Sequence, residues 1–427
     1  MTTVMALRKR RRPGAEERRG APALDGPIER IVVFRALMLG DLLCAVPALR
    51  ALRRGFPQAS ITLIGLPWAA ALVERLSCVD RFIEFPGHPA LPEKPCDVRA
   101  LPVFLAKVQA QRFDLALQMH GSGSVVNPLV ATFGARHSAG FFSEQDWRPD
   151  EDVGYYAPWP RRGHEIERML ALTDWLGVAR DGTHLEFPVQ AADRAALAAL
   201  WPEGQRTHGY VCLHAGAQLP SRRWPVERFA EVANRLAATG RTVVLTGTVQ
   251  EAELIAALSA AIEYPVVNLA GRTSLWMLGA LVEGADAVIC NDTGISHVAA
   301  ALGTPSVVVS AGSDVERWAP LDRARHPVLW QPMSCRPCSH VICPIDNACA
   351  RAIEVGEVMQ AFEALVERHR REGGDAPAGS GRAGAFTASP GRADLAPAAG
   401  AAQLDGAAHP ESVPDSTPAP FNRAEIA

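Results

Sequence analysis

The chain has 427 residues, 48% of them hydrophobic, enough apolar material for two or three domains with sizeable cores. A formal net charge of −3 supplies no overall basic field for nucleic acid, and no apolar run approaches the roughly 18 residues of a membrane-spanning helix. The expectation is a soluble globular protein whose partners do not include nucleic acid.

The amino-terminal run Arg8-Lys9-Arg10-Arg11-Arg12 is not followed by the apolar stretch a secretory signal needs, so a cytoplasmic location is expected. Residues 1–28 read as a disordered basic arm; the alternative is an anchor for anionic lipid, a peripheral contact at the cytoplasmic face of the inner membrane. From residue 29 an alternation of strands and helices begins, with strands at 30–35, 60–65, 81–85, 113–119 and 137–141. Helices fall between them, the first carrying Leu42, Leu43, Val46, Leu49 and Leu52 on one face, and helix 164–176 closes the unit. Residues 29–190 form a first domain, and 178–207 shift toward Asp, Gly, Thr, Pro and an Ala-rich helix, as a connection does.

A second alternation fills 205–351, with strands at 210–213, 242–245, 265–268, 287–290 and 306–309 and helices at 225–239, 250–262, 274–284 and 294–302. A helix over 352–373 is expected to pack back toward the first domain, and the Ala-, Gly- and Pro-rich residues 374–427 read as a disordered tail. The fold class that follows is α/β, two Rossmann-like doubly wound domains in tandem.

Two stretches carry the chemistry. Leu39-Gly40-Asp41-Leu42 follows the apolar run Ile31–Phe34, and Asn291-Asp292-Thr293-Gly294-Ile295-Ser296-His297 follows Ala287–Cys290. Both lie where a parallel strand hands over to a helix, the edge at which open α/β sheets bind ligands. Asp41 reads either as an N-cap or as a general base toward an acceptor hydroxyl. Asp292, Thr293, Gly294 and His297 read either as an ordinary capped helix start or as an anion cradle, with Gly294 admitting close backbone approach. Arg222 and Arg223, after the strand-end loop His214-Ala215-Gly216-Ala217, form a surface pair or a diphosphate clamp. Glu251 is a first-turn acid or a ribose contact. The loop Gln118-Met119-His120-Gly121 is another strand end able to face a ligand.

Cys335, Cys338, Cys343 and Cys349 have enough thiolates for zinc, yet their later spacings match no standard ribbon or finger; metal site, redox-sensitive staple and free thiols all stay open. No Walker loop, no Gly-x-Gly-x-x-Gly after a strand and no Asp-x-Asp strand-end loop is present, so NTP hydrolysis, a nicotinamide cofactor and an acidic metal triplet are not indicated.

Gly40–Leu49, Arg222–Ala230 and Asp292–Pro305 together resemble the ADP-heptose:lipopolysaccharide heptosyltransferases, glycosyltransferase family nine, over roughly residues 30–370. The resemblance implies a GT-B fold with two Rossmann-like domains facing a central cleft, the first for the acceptor and the second for the nucleotide sugar. It also implies an inverting transfer of a heptose or related sugar from ADP-heptose to a lipid-linked or oligosaccharide acceptor, with no metal and no other cofactor. By position it makes Asp41, next to Gly40, the base. It places Arg222 where the family usually has a phosphate-neutralising lysine, with Arg223 beside it, and matches Glu251 to the ribose contact. Thr273 in Gly271-Arg272-Thr273 falls where main chain meets adenine, and Asp292, Thr293, Gly294 and His297 on the phosphate and sugar cradle. Gly87–Asp97 departs from the pattern, being Pro-rich with no acceptor signature, and both tails lie outside it. The rival readings are a non-catalytic nucleotide-sugar-binding module and a nucleotide-sugar epimerase on the same fold.

Overall fold

A computed structural model describes residues 20–144, 146–202 and 209–371. The basic run at 8–12 and the tail from 374 therefore lie outside the described residues. In the first unit the elements are β1 (Arg30–Phe34), α1 (Leu39–Gly55), β2 (Ser60–Gly65), α2 (Ala69–Val73), β3 (Arg81–Glu84), α3 (Ala100–Gln109), β4 (Leu115–Gln118), α4 (Val126–Ala131), β5 (His137–Phe142), β6 (Tyr156–Pro158) and α5 (Glu165–Trp175). The second unit comprises α6 (Ala191–Leu200), β7 (Tyr210–His214), α7 (Val226–Ala238), β8 (Thr242–Leu245), α8 (Ala252–Ala261), β9 (Val267–Asn268), α9 (Leu275–Glu283), β10 (Ala287–Asn291), α10 (Gly294–Leu302), β11 (Ser306–Val309), α11 (Val315–Trp318), β12 (Val328–Leu329), α12 (Ala348–Arg351) and α13 (Val355–Arg371).

Two six-stranded sheets result, ordered β3-β2-β1-β4-β5-β6 and β12-β11-β10-β7-β8-β9. Every pairing is parallel. Strands covered by helices on both faces bury nearly every side chain, which is why the centres of β1, β4, β7, β10 and β11 are apolar runs instead of alternating ones, with polar residues only at their ends. The strand order reverses between β1 and β4 and between β7 and β10, so each sheet has its ligand-accepting crevice at those carboxyl ends. Asp41 and His120 follow the first pair; the 214–217 loop and Asp292 follow the second.

The units are continuous in their interior. One apolar cluster runs from Ile31, Leu42 and Val46 to Ile295, Val298 and Cys290, because α1 lies against α10. Helix α5 also packs on α1, while α6 crosses to α9.

Helix α13 corrects an expectation. It packs on α7 and β11 of the second sheet, not on the first unit. Its stripe Val355, Val358, Phe362, Leu365 joins the cluster of Val211, Phe229, Val232 and Val309. The helical spacing of that stripe announces a buried face, and α7 offers the matching one. None of the described helices is long and apolar enough to cross a membrane.

Candidate active site

Asp41 is the third residue of α1. The cap position is Met38, extended and without a side-chain bond, so Asp41 does not cap the helix. Its half-buried carboxylate has no hydrogen-bond partner among the described residues. Beneath it lies Arg35, 1% exposed at the end of β1. Arg35 Nε donates to the Asp41 carbonyl at 2.8 Å, and Nη1 to the Met119 carbonyl at 2.5 Å. Arg35 Nη2 meets Glu165 Oε1 at 3.1 Å, and Arg317 Nε of α11 reaches the other Glu165 oxygen at 2.8 Å. A buried carboxylate thus shares two guanidiniums drawn from the two units. Burial alone would push Glu165 up, but Arg317 and Arg35 together hold it down at about 2. Asp41 goes the other way: burial raises it, Glu165 adds to the rise, and Arg35, Arg317 and His120 oppose it. An unpartnered carboxylate with a raised pKa at a strand-end crevice is suited to accept a proton.

The second wall is organised by Asn291, the fully buried last residue of β10. Its Oδ1 accepts the Trp224 N–H at 2.9 Å, and its Nδ2 donates to the Ala215 carbonyl at 2.8 Å. Three strand-end segments are stitched together by this one side chain. Thr293 caps α10 in extended conformation with no side-chain bond, leaving the first amides of the helix pointing outward. Asp292 turns away from them, its carboxylate bonded to Ser313 Oγ. Burial raises its pKa, the Ser313 bond opposes this, and the positive charges of Arg222, Arg336 and Arg323 act in the same lowering direction. Arg222 Nη2 donates to the Cys338 carbonyl at 3.2 Å; Arg223 Nε donates to the Ala217 carbonyl at 3.0 Å. Arg336 is clamped on the Ser310 carbonyl (2.7 Å) and the Ser313 carbonyl (2.5 Å). An amino-terminal helix end beside three arginines is a strong site for a diphosphate. The sequence reading missed Arg336 and Arg323, the former because it stands inside the cysteine run and the latter in a loop with no motif.

The two walls touch. A Cβ built on Gly40 would fall 2.6 Å from His297 Cδ2, and one on Gly294 3.3 Å from Leu39 Cβ. Both glycines serve the approach of α1 to α10, so Gly294 works against protein. His297 is buried in this seam with Nδ1 3.6 Å from Cys44 Sγ, and burial lowers its pKa to about 4. A neutral imidazole supplies no cation to an anion site; its observed part is packing between the units.

Glu251 Oε2 closes a capping box with the Thr248 N–H (2.8 Å) and Oγ1 (2.9 Å), while Oε1 lies over Gly216. It therefore stands beside the β7 loop. Two residues before Thr273, Gly271 has φ +69° and donates to the Gly247 carbonyl at 2.8 Å, so this turn lies against the loop that follows β8, the loop that leads into Glu251. All nine cysteines are unbridged, and no set of three or more His, Cys, Asp or Glu able to hold a metal occurs among the described residues. The cysteine loop instead lies over the second wall: the Cys338 N–H donates to Gly312 (2.6 Å) and Ser221 N–H to Val341 (3.1 Å).

Residues 104–349, more than half of the chain, match the family model described as glycosyltransferase family 9 (heptosyltransferase). The chain belongs to this family. This glycosyltransferase is 29% identical over 317 residues to lipopolysaccharide heptosyltransferase 2 of Escherichia coli K12, covering 68% of the chain and 85% of the relative. Its fold is similar to that of E. coli ADP-heptose lps heptosyltransferase II, with TM-score 0.63 and 21% identity over 80% of this chain and all of the other. It is also similar to the E. coli heptosyltransferase WaaC with ADP-2-deoxy-2-fluoro heptose, with TM-score 0.57 and 20% identity over 78% and 99% of the two chains. The architecture is accordingly GT-B, as the resemblance implied, and the chain is a transferase.

Proposed function

We propose that this glycosyltransferase moves a heptose or closely related sugar from an ADP-sugar to a lipopolysaccharide core or similar glycan acceptor, with inversion and without a metal. The observation that carries the reading is the meeting of α1, with Asp41 unpartnered, and the start of α10, whose cap Thr293 makes no side-chain bond, with its arginines at one seam. The acceptor hydroxyl gives its proton to the Asp41 carboxylate as its oxygen bonds to the anomeric carbon. The bond from that carbon to the diphosphate oxygen breaks, and the electron pair leaves with the ADP. Attack from the face opposite the leaving group inverts the anomeric centre.

Arg222, Arg336 and Arg323 with the free amides of α10 receive the charge that develops on the leaving diphosphate. They are fixed before the reaction by carbonyl bonds, so little reorganisation is needed during it. Glu251, beside the β7 loop, and the turn at Thr273, against the β8 loop, hold the nucleoside in this reading. Positive charge of this amount is the basis for assigning no metal.

The test incubates the protein with ADP-heptose and a deacylated core oligosaccharide, with UDP- and GDP-sugars as controls. The expected result is transfer from the ADP-sugar alone, an anomeric configuration in the product opposite to the donor's by NMR, and a rate unchanged by a chelator. Retained configuration, or loss of rate on chelation, contradicts the corresponding part.

A further inference from the structure

At the carboxyl end of the first sheet, three buried polar atoms lack a hydrogen-bond partner among the described residues: His120 Nε2, Glu93 Oε2 and Trp68 Nε1, of which His120 acts on Asp41 directly. They come from the loops that follow β4 and β2, which flank β1 in the sheet, and β3, the next strand out, so all three stand at the carboxyl edge from which Asp41 projects. Buried donors and acceptors are nearly always satisfied by protein, water or ligand.

The His120 side chain is wholly enclosed. Its ring stacks on Phe34, centroids 5.3 Å apart at 30°, and Nδ1 accepts the Ala36 N–H at 3.3 Å. With Nδ1 engaged as an acceptor, the hydrogen of the ring is carried on Nε2. The Nε2–H points toward Glu93 Oε1, 3.8 Å away, too far for a direct bond. Glu93 is held in place. Its neighbour Leu91 is buried at 3%, and Lys94 Nζ is tied to Glu84 Oε1 at 2.7 Å and to the Phe85 carbonyl at 3.2 Å. Gly87, with φ +98°, folds the loop back so closely that a Cβ there would sit 2.9 Å from the Pro95 carbonyl oxygen. The Pro-rich stretch with no readable signature is thus a compact loop that delivers one carboxylate.

We propose that His120, Glu93 and Trp68 form a hydroxyl-binding subsite that grips the acceptor sugar next to its attacking hydroxyl. Two N–H donors and one carboxylate match a sugar hydroxyl, which can accept two hydrogen bonds and donate one. The carboxylate turns away phosphorylated or acidic sugars, so the ligand class is an uncharged, polyhydroxylated sugar unit. This inference rests on the glycosyl-transfer reading, with Asp41 as the neighbouring base.

The test uses full-length wild type, Glu93→Gln and His120→Asn, with a deacylated heptose-containing core oligosaccharide as acceptor probe and ADP-heptose as donor. Calorimetry measures oligosaccharide binding in the presence of ADP, initial rates give KM for each substrate, and unfolding midpoints with and without ADP report folding and donor binding. The expected result is a roughly tenfold or greater loss of oligosaccharide affinity and a matching rise in acceptor KM in both variants. Donor KM and the ADP-induced stabilisation stay at wild-type values, and Glu93→Asp recovers part of the affinity. Wild-type affinity for the oligosaccharide in a folded Glu93→Gln, an equal loss toward donor and acceptor, or no binding by wild type would overturn the subsite. Binding that depends on these residues without any heptose transfer would keep the subsite and sink the transfer reading instead.

Discussion

Gly40 is the tightest point of the seam, since any larger side chain there meets the His297 ring. Gly40→Ala is expected to destabilise the protein by about 1–3 kcal/mol and to lower turnover, because the added methyl pushes α1 away from α10. Denaturant unfolding beside steady-state rates checks both. Arg336 has a separable role: it hangs on the Ser310 and Ser313 carbonyls and its charge faces Asp292 and the start of α10. Arg336→Ala should lower turnover of the nucleotide sugar by about 100- to 1,000-fold, the range seen when one preorganised donor is removed. A hydrolysed or transferred sugar assay with variable donor reads this directly. His297 shows what residue spacing conveys and what it hides. Its position one turn into α10 was legible, but its partner Cys44 lies 253 residues away, and only that contact decides between cradle and packing.

At the scale of elements, the apolar runs of β1, β2, β8, β10 and β11 were readable because parallel strands buried on both faces leave unbroken hydrophobic stretches. β12 escaped because two residues carry no period, and β6 because it is three residues ending in Pro158 at the sheet edge. The face of α13 was legible while its docking partner was not, since an amphipathic stripe states that a side is buried but not against what. Arg35 and Glu165 gave no signal at all: their pairing needs β1, α5 and α11 to converge. Glu165→Gln leaves two buried guanidiniums without their counter-charge, and a loss of about 3–5 kcal/mol in stability is expected. It also removes a negative charge that helps raise Asp41. The acid limb of the pH–rate profile of this variant should therefore move to lower pH, a shift that a purely structural lesion would not produce.

Across the whole molecule, acid acts on three buried histidines, two of them, His164 and His297, at the contact between the units. His164 donates from Nε2 to the Ala319 carbonyl at 2.9 Å, and burial depresses His164, His297 and His326 to about 4 each, from an ordinary 6.5. Between those values the unfolded chain binds more protons than the folded one, so stability rises with pH through this window and is lost as pH falls from 6.5 toward 4. Glu165, held near 2 against an ordinary 4.5, adds a second loss as pH falls from 4.5 toward 2. Unfolding midpoints measured from pH 7 to 3 should decline from about 6.5 downward; a flat profile above pH 4.5 contradicts the buried neutral histidines. Asp41 has the opposite linkage, because its folded pKa is raised: the stability it supports is complete below its unfolded pKa and lost as pH rises through the folded one. Ionising Asp41 in the folded protein thus comes at a cost to stability, which fits a group kept for chemistry. The most direct measurement is turnover and unfolding of Asp41→Asn at neutral pH, with and without ADP. The account predicts kcat down by about 100- to 10,000-fold, ADP stabilisation retained and an unfolding midpoint at or above wild type. Near-normal turnover in a variant that still binds ADP would contradict it.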